Sequence, residues 1–352
     1  MRPPPPYPAD MTITLLAPLA ALAASFLLTR VVLGYAIRRA ILDFPNHRSS
    51  HDAPTPRGGG LGIAFPVLAG TAILGLTGFI PGHLAAGILG GTLVAAVGWM
   101  DDTGRLKGRM LGPRMLVYLA AAVWGVAWAG GLAGLSLGVT RLHLGWAGGA
   151  IAVIGCVWMV CLFNFMDGID GISGTEATTA GLWGGVLLWL SGSHDLAVIA
   201  LMVGAAAAGF LVWNWAPARI FMGDVGSCLL GFCFAIIALA SERAGAVPLL
   251  VWMILLGVFV FDATVTLLRR VVRRERWREA HRSHAYQRAV QSGWTHRQVS
   301  AGVAVTNVAL GVLATVGWRR PALLPVCLLA ALVLLAAIYL WVERRAPMAR
   351  VQ

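Results

Sequence analysis

The residues of this chain best suited to chemistry are aspartates in three short motifs. Asp101 and Asp102 are adjacent in Trp99-Met100-Asp101-Asp102-Thr103-Gly104. Asp167 and Asp170 lie three apart in Asn164-Phe165-Met166-Asp167-Gly168-Ile169-Asp170-Gly171. Asp224 stands between glycines in Phe221-Met222-Gly223-Asp224-Val225-Gly226-Ser227. Adjacent carboxylates repel, and the C-terminal end of a helix disfavours anions. The Asp167 loop contains no Lys or Arg, so a bound cation or an arginine from another loop must balance it. Its glycines permit tight turns and close backbone approach. The competing readings are solvated helix ends, a polar turn and, for Asp224, a helix N-cap. An EF-hand is excluded, because its ligand spacing and terminal Glu are missing.

Basic and polar motifs accompany these acids. One runs from Asp43 through His47-Arg48-Ser49-Ser50-His51 to Pro54-Thr55-Pro56-Arg57-Gly58-Gly59-Gly60. The triple glycine suits a phosphate-cradling turn at a helix start or a helix packing face, and both readings stay open. Segment 269–298 carries nine arginines with His281, His284 and His296. Part of it reads as a basic patch for anionic lipid. The run His281-Arg282-Ser283-His284-Ala285-Tyr286-Gln287-Arg288 is denser than that requires and suits a phosphate or diphosphate. Asp262 lies inside an apolar stretch with Thr264 and Thr266, as a functional group or as the structural partner of an arginine.

The elements that must position these residues are membrane helices. Only 12% of the 352 residues are charged and 58% are hydrophobic, against ~25% charged in soluble domains. Disorder, coiled coil and an ordinary soluble enzyme are excluded. Eleven apolar runs, 12–37, 61–80, 84–100, 113–130, 144–163, 177–191, 196–213, 227–240, 247–268, 299–316 and 322–342, approach spanning length. All must be helical, since lipid leaves no partner for open backbone. The expected fold is therefore all-α and polytopic, with ten to eleven spans. One transmembrane domain occupies 11–342, after a Pro-rich extension (1–10) and before a tail (343–352). Residues 1–10 lack a signal peptide's basic start, and Met11 is an alternative start.

Alternation of the loops puts 21 of the 27 basic residues on one side and five on the other. The positive-inside rule makes the first side cytoplasmic and the N-terminus external. The net charge of +12 is thereby mostly topology, and no nucleic-acid partner is expected. Eleven of the 15 acids also fall on the cytoplasmic side, which the rule does not explain. The five cysteines form no C-x-x-C pair and read as small hydrophobes.

Gathered carboxylates need a divalent cation to coexist, and oxygen-only ligands favour Mg²⁺, with Mn²⁺ as the alternative. Arginines and histidines beside them suit phosphates. A cytoplasmic site at the membrane surface reaches both nucleotides and lipids, which points to phosphoryl transfer onto a lipid phosphate. A transporter would instead place its ionisable residues near the bilayer midplane, and a lipid-binding scaffold would leave the aspartate motifs unexplained.

Taken in order, these motifs resemble those of the polyprenyl-phosphate N-acetylhexosamine-1-phosphate transferase superfamily. The carrying patterns are Pro-x-x-Arg-Ser-x-His with Pro-Thr-Pro-Arg-Gly-Gly-Gly, Asp-Asp-x-x-x-Leu, Asn-x-x-Asp-Gly-Ile-Asp-Gly and Phe-Met-Gly-Asp-x-Gly-Ser. The resemblance implies a bacterial inner-membrane enzyme that transfers a sugar 1-phosphate from a UDP-N-acetyl sugar to undecaprenyl phosphate and releases UMP. It implies catalytic roles for Asp101, Asp102 and Asp224, with Asp224 as the Mg²⁺ ligand. Asp101 would be the base on the lipid phosphate, or the nucleophile of a two-step route, and Asp102 would support it. Arg48, Asn164, Asp167, Asp170, His281, Arg282 and His284 would bind substrate. The phospho-MurNAc-pentapeptide translocases carry adjacent histidines in the last cytoplasmic loop. His-Arg-Ser-His here instead resembles the O-antigen-initiating branch, leaving GlcNAc, FucNAc and QuiNAc open as donors and a homodimer open as the assembly.

Overall fold

The computed structural model describes residues 11–44, 53–106, 111–275 and 281–348. Each of the eleven expected apolar runs is helical. Helix α1 (Met11–Arg38) leads to a short antiparallel pair, β1 (Leu42–Asp43) and β2 (Thr55–Pro56), with Asp43 opposite Thr55. Then come α2 (Leu61–Leu76), α3 (Gly82–Leu89) continuing into α4 (Gly91–Asp102), and α5 (Leu111–Ala129). Hairpin β3 (Gly134–Ser136) and β4 (Arg141–His143) precedes α6 (Ala147–Met166), α7 (Ile172–Leu190), α8 (His194–Asn214) and α9 (Asp224–Ala244). Helices α10 (Leu249–Leu255) and α11 (Gly257–Val272) follow, then the short α12 (Ala285–Gln291), α13 (His296–Arg319) and α14 (Leu324–Arg345). Among the described residues, seven helical segments, α3–α4 taken as one, are long and apolar enough to cross a membrane, and α10–α11 makes an eighth as a broken span. The protein is a multi-pass membrane protein.

Two features differ from the sequence expectation. The run expected as one straight span at 247–268 breaks between α10 and α11 by 85°. The break strands the first N–H groups of α11, and buried Glu176 of α7 answers it: its carboxylate accepts from the Phe259 backbone and, at 2.7 Å, from the Asn307 amide. In addition, α14 continues to Arg345, so the tail expected from 343 begins as helix.

Helix α9 is the core of the bundle, with 94% of its apolar window inside the protein against 17% for α1. Small residues make that depth attainable. A Cβ on Gly231 would lie 2.2 Å from the Met159 carbonyl, and one on Gly60 2.4 Å from the Gly226 Cα. On the face opposite the aspartate motifs, Glu242 joins α9 to the hairpin and to α10, accepting from Ser136 N at 2.9 Å, Ser136 Oγ at 2.6 Å and Leu249 N at 2.8 Å.

Candidate active site

Segment 56–60 and the loop before α9 are stitched together by backbone. Phe221 N donates to Pro56 O at 2.8 Å, Gly59 N to Phe221 O at 2.9 Å and Gly60 N to Met222 O at 2.8 Å. The amides of Gly59 and Gly60 are thus spent inside the protein, and the phosphate-cradle reading of the triple glycine gives way to packing. This stitching delivers Arg57 to the start of α9.

Asp224 is the first residue of α9 and the hub of the site. Its Oδ1 accepts from Arg57 Nη2 at 2.7 Å and Asn164 Nδ2 at 2.9 Å, and its Oδ2 from Arg114 Nη2. Arg114 also reaches Asp101 Oδ1 at 3.2 Å. Asp101 interacts directly with Asp224 as well, and its side chain keeps 23% of its surface exposed. Asp102 is different: its side chain has no exposed surface. Its Oδ1 accepts from Asp224 N at 3.0 Å and from Arg57 Nε at 2.8 Å, and its Oδ2 from Val225 N at 3.2 Å. It therefore caps the N-terminus of α9 from the end of α4. Gly223, at φ +74°, lets the cap close, because a Cβ there would sit 2.4 Å from Asp102 Oδ2.

Burial works against a charge on Arg57, but Asp102, Asp224, Asp43 and Asp101 outweigh it and hold the guanidinium protonated. Arg57 and Arg114 are the counter-charges that the aspartate motifs require. Arg57 stands in the Pro-Thr-Pro-Arg-Gly-Gly-Gly motif, whereas Arg114 lies in none of the motifs. The clue to both was the unbalanced acid.

The second half of the site is built from the α6–α7 loop and segment 281–291. Asp167 is half-buried, and burial pushes its carboxyl up to about 7, with Arg57 pulling the other way. Asp170 anchors the loop instead of facing outward: its Oδ2 accepts from Ala218 N at 3.0 Å, and Oδ1 lies 3.4 Å from His296 Nδ1. His296 belongs to the histidines noted in 269–298, but its partner was not expected. His284 is buried against Asp262, with Nδ1 3.5 Å from Oδ1. The contacts of Asp262 among the described residues are with His284, Thr266 and the backbone amides of Ala285 and Tyr286. Burial, helped by His284 and Arg270, holds the His281 imidazole down to about 3, so it is neutral at physiological pH. Arg282 is half-buried, and its Nε has no partner among the described residues. Tyr286 donates from its hydroxyl to Phe165 O at 2.9 Å, which ties the two halves together. Arg48 lies outside the described residues.

The basic patch is partly internal. Arg269 grips Glu343 with both Nη atoms at 2.7 and 2.9 Å, and Arg288 contacts the same carboxylate. These arginines serve the fold before any lipid.

Residues 84–242 match the glycosyl transferase family 4. The chain is 29% identical over 287 residues to a probable undecaprenyl-phosphate N-acetylglucosaminyl 1-phosphate transferase of Bacillus subtilis, covering 79% of this chain and 77% of that protein. It is 30% identical over 305 residues to a decaprenyl-phosphate N-acetylglucosaminephosphotransferase of Mycolicibacterium smegmatis, covering 75% and 72% respectively. It is also 30% identical over 189 residues to a phospho-N-acetylmuramoyl-pentapeptide-transferase of Moorella thermoacetica, covering 51% and 58%. By these matches, and with Asp101, Asp102 and Asn164 gathered at Asp224, the chain belongs to the polyprenyl-phosphate N-acetylhexosamine-1-phosphate transferases, a superfamily of membrane enzymes.

Proposed function

We propose that the protein transfers an N-acetylhexosamine 1-phosphate from a UDP-sugar to undecaprenyl phosphate on the cytoplasmic side of a bacterial plasma membrane. A phosphate oxygen of the lipid attacks the β-phosphorus of the donor, the bridging Pα–O–Pβ link breaks, and UMP leaves with the bridging oxygen. The product, a polyprenyl-diphospho-sugar, would initiate a surface polysaccharide such as O-antigen.

One observation carries the reading: Asp224 is shared by Arg57, Arg114 and Asn164, with Asp101 against it. Two cationic forks in a half-buried site match two phosphate-bearing reactants, which repel each other unless screened. Asp101 is the freest carboxylate of the centre and is suited to take a proton from the lipid phosphate or to attack in a two-step route. Asp102, with both oxygens engaged, is a positioning residue for Asp224. Asp167, Asn164 and the His281–His284 segment flank the donor side, and neutral His281, whose Nδ1 accepts from Ser283 N, keeps Nε2–H to donate to phosphate or sugar.

The donor set also fits Mg²⁺. No group of three His, Cys, Asp or Glu residues among the described ones forms a cage by itself, but Mg²⁺ is usually held by one or two carboxylates plus substrate phosphates. Asp224 and Asp101 supply such oxygens. Bound there, Mg²⁺ would neutralise the diphosphate and assist the displacement.

The relatives covered over 77% and 72% of their length are named for N-acetylglucosamine, while the pentapeptide transferase is covered over 58%. UDP-GlcNAc is therefore the first donor to test. Purified protein with undecaprenyl phosphate, Mg²⁺ and a panel of UDP-GlcNAc, UDP-FucNAc, UDP-QuiNAc and UDP-MurNAc-pentapeptide should release UMP with one N-acetyl sugar. No UMP and no labelled lipid from any of them would overturn the reading.

A further inference from the structure

We infer that Asp262 is a positioning residue for the donor side of the site, acting through α12. It is 6% exposed, and its contacts among the described residues are not with Arg57, Arg114 or Asp224. Its carboxylate instead collects donors from a segment more than twenty residues later. Oδ1 accepts from Ala285 N at 2.9 Å and Thr266 Oγ1 at 3.0 Å, and Oδ2 from Tyr286 N at 3.2 Å. These amides are among the first of α12, which has no carboxylate of its own at that end. His284 Nδ1 faces the same oxygen at 3.5 Å, which turns that ring by its Nδ1 side.

The connection continues to the Asp167 motif. Tyr286, whose amide Asp262 holds, donates its hydroxyl to Phe165 O at 2.9 Å. The same hydroxyl packs over Gly168, where a Cβ would lie 2.2 Å away. One buried carboxylate on α11 thus sets the position of His284, of Tyr286 and, through Tyr286, of the loop that carries Asp167. An aspartate in an apolar helix costs free energy that a lipid-facing role would not return; a fixed donor loop accounts for it.

The inference rests on the proposed function only in taking 281–288 and 164–170 as the donor side. Asp262→Ala should raise the KM for the UDP-sugar at least ~10-fold, the scale expected when a positioning partner is lost. The KM for undecaprenyl phosphate should change less than about twofold. Asp262→Asn, which keeps one acceptor oxygen, should fall between. Thr266→Val, which removes one donor to Oδ1 and leaves both amide bonds to Asp262 in place, should raise donor KM about twofold. Hydrogen–deuterium exchange on the full chain gives a readout free of substrate. Peptides spanning 281–288 and 164–170 should exchange faster in Asp262→Ala than in wild type. Unchanged exchange at 281–288, or equal rises in the KM of both substrates, would overturn the inference. Absence of product from wild type would instead sink the proposed function, while the exchange result would still decide the cap.

Discussion

Asp102 and Asp262 perform the same structural act in two parts of the molecule. Each is buried, and each offers two carboxylate oxygens to consecutive backbone amides at the start of another helix. Asp102 receives Asp224 and Val225 at 3.0 and 3.2 Å, and Asp262 receives Ala285 and Tyr286 at 2.9 and 3.2 Å. Their company differs. Asp102 shares Arg57 with Asp224, so its cap is welded to the charged centre. Asp262 has a hydroxyl and an imidazole beside it, so its cap holds geometry with little fixed charge. A chain with 15 acids thus uses one device twice, once at the start of α9 and once at the start of α12. The difference predicts where each substitution will appear in the kinetics.

The largest effect belongs to the charged centre. Asp224→Asn keeps the shape but removes the charge that Arg57 and Arg114 share, and turnover should fall at least ~10³-fold, the scale of losing a principal electrostatic group. Asp262→Asn should leave kcat within about threefold. Parallel measurements of kcat and both KM values test the contrast; a kcat loss at Asp262 as large as at Asp224 would break it.

Next comes the cap of the centre itself. Arg57→Lys retains a positive charge, but an ammonium cannot reproduce a fork that reaches Asp102 through Nε and Asp224 through Nη2. Turnover should drop ~10²-fold with a smaller change in stability. Asp102→Ala leaves two helix N–H groups and part of a guanidinium unpaired, and should cost about 3 kcal/mol of stability. Thermal unfolding in detergent beside kcat separates the two. If Asp102→Ala is as stable as wild type, its cap carries no load and the parallel with Asp262 fails.

The sequence was unequally legible across these two regions, for physical reasons. Lipid imposes a local rule on each span, so eleven helical segments could be marked from apolar runs alone. The break between α10 and α11 could not, because it depends on Glu176 and Asn307, residues 131 positions apart. The aspartate motifs stood out because adjacent acids and cation-free loops are costly unless something compensates. What compensates was hidden: Arg114 and Asp224 are 110 positions apart, and Asp102 and the Asp224 amide 122. Asp262 was noticed for its apolar setting, but helix α12, of seven residues, is too short to show a period, so the cap had no visible partner.

The pH response should also divide the regions. Asp167 ionises at about 7 in the folded protein, above the ordinary 3.8. The folded state then binds more protons than the unfolded state between those values, so this group stabilises less as pH rises from about 4 to about 7. Unliganded wild type should lose thermal stability between pH 5 and 8 (roughly the upper part of that window), and Asp167→Asn should flatten the slope. An identical slope in the variant would assign the pH dependence elsewhere.

The smallest effect should come from a second brace on the Asp262 side. Glu343 at the end of α14 binds Arg269 with two hydrogen bonds and Arg288 of α12 with another, and Arg288 also reaches Ser283 O at 3.1 Å. It therefore touches the same seven-residue helix that Asp262 caps. The carboxylate is 23% exposed, however, and partly exposed ion pairs contribute at most about 1 kcal/mol. Glu343→Gln retains hydrogen-bond acceptance and should shift donor KM less than about twofold. Raising salt should weaken the wild-type brace in the same direction. Asp262, buried and bound to backbone, should be insensitive to salt. If Glu343→Gln matched Asp262→Ala in donor KM, the donor loop would be set by the tail's charge, and the equivalence of the two buried caps would be coincidental.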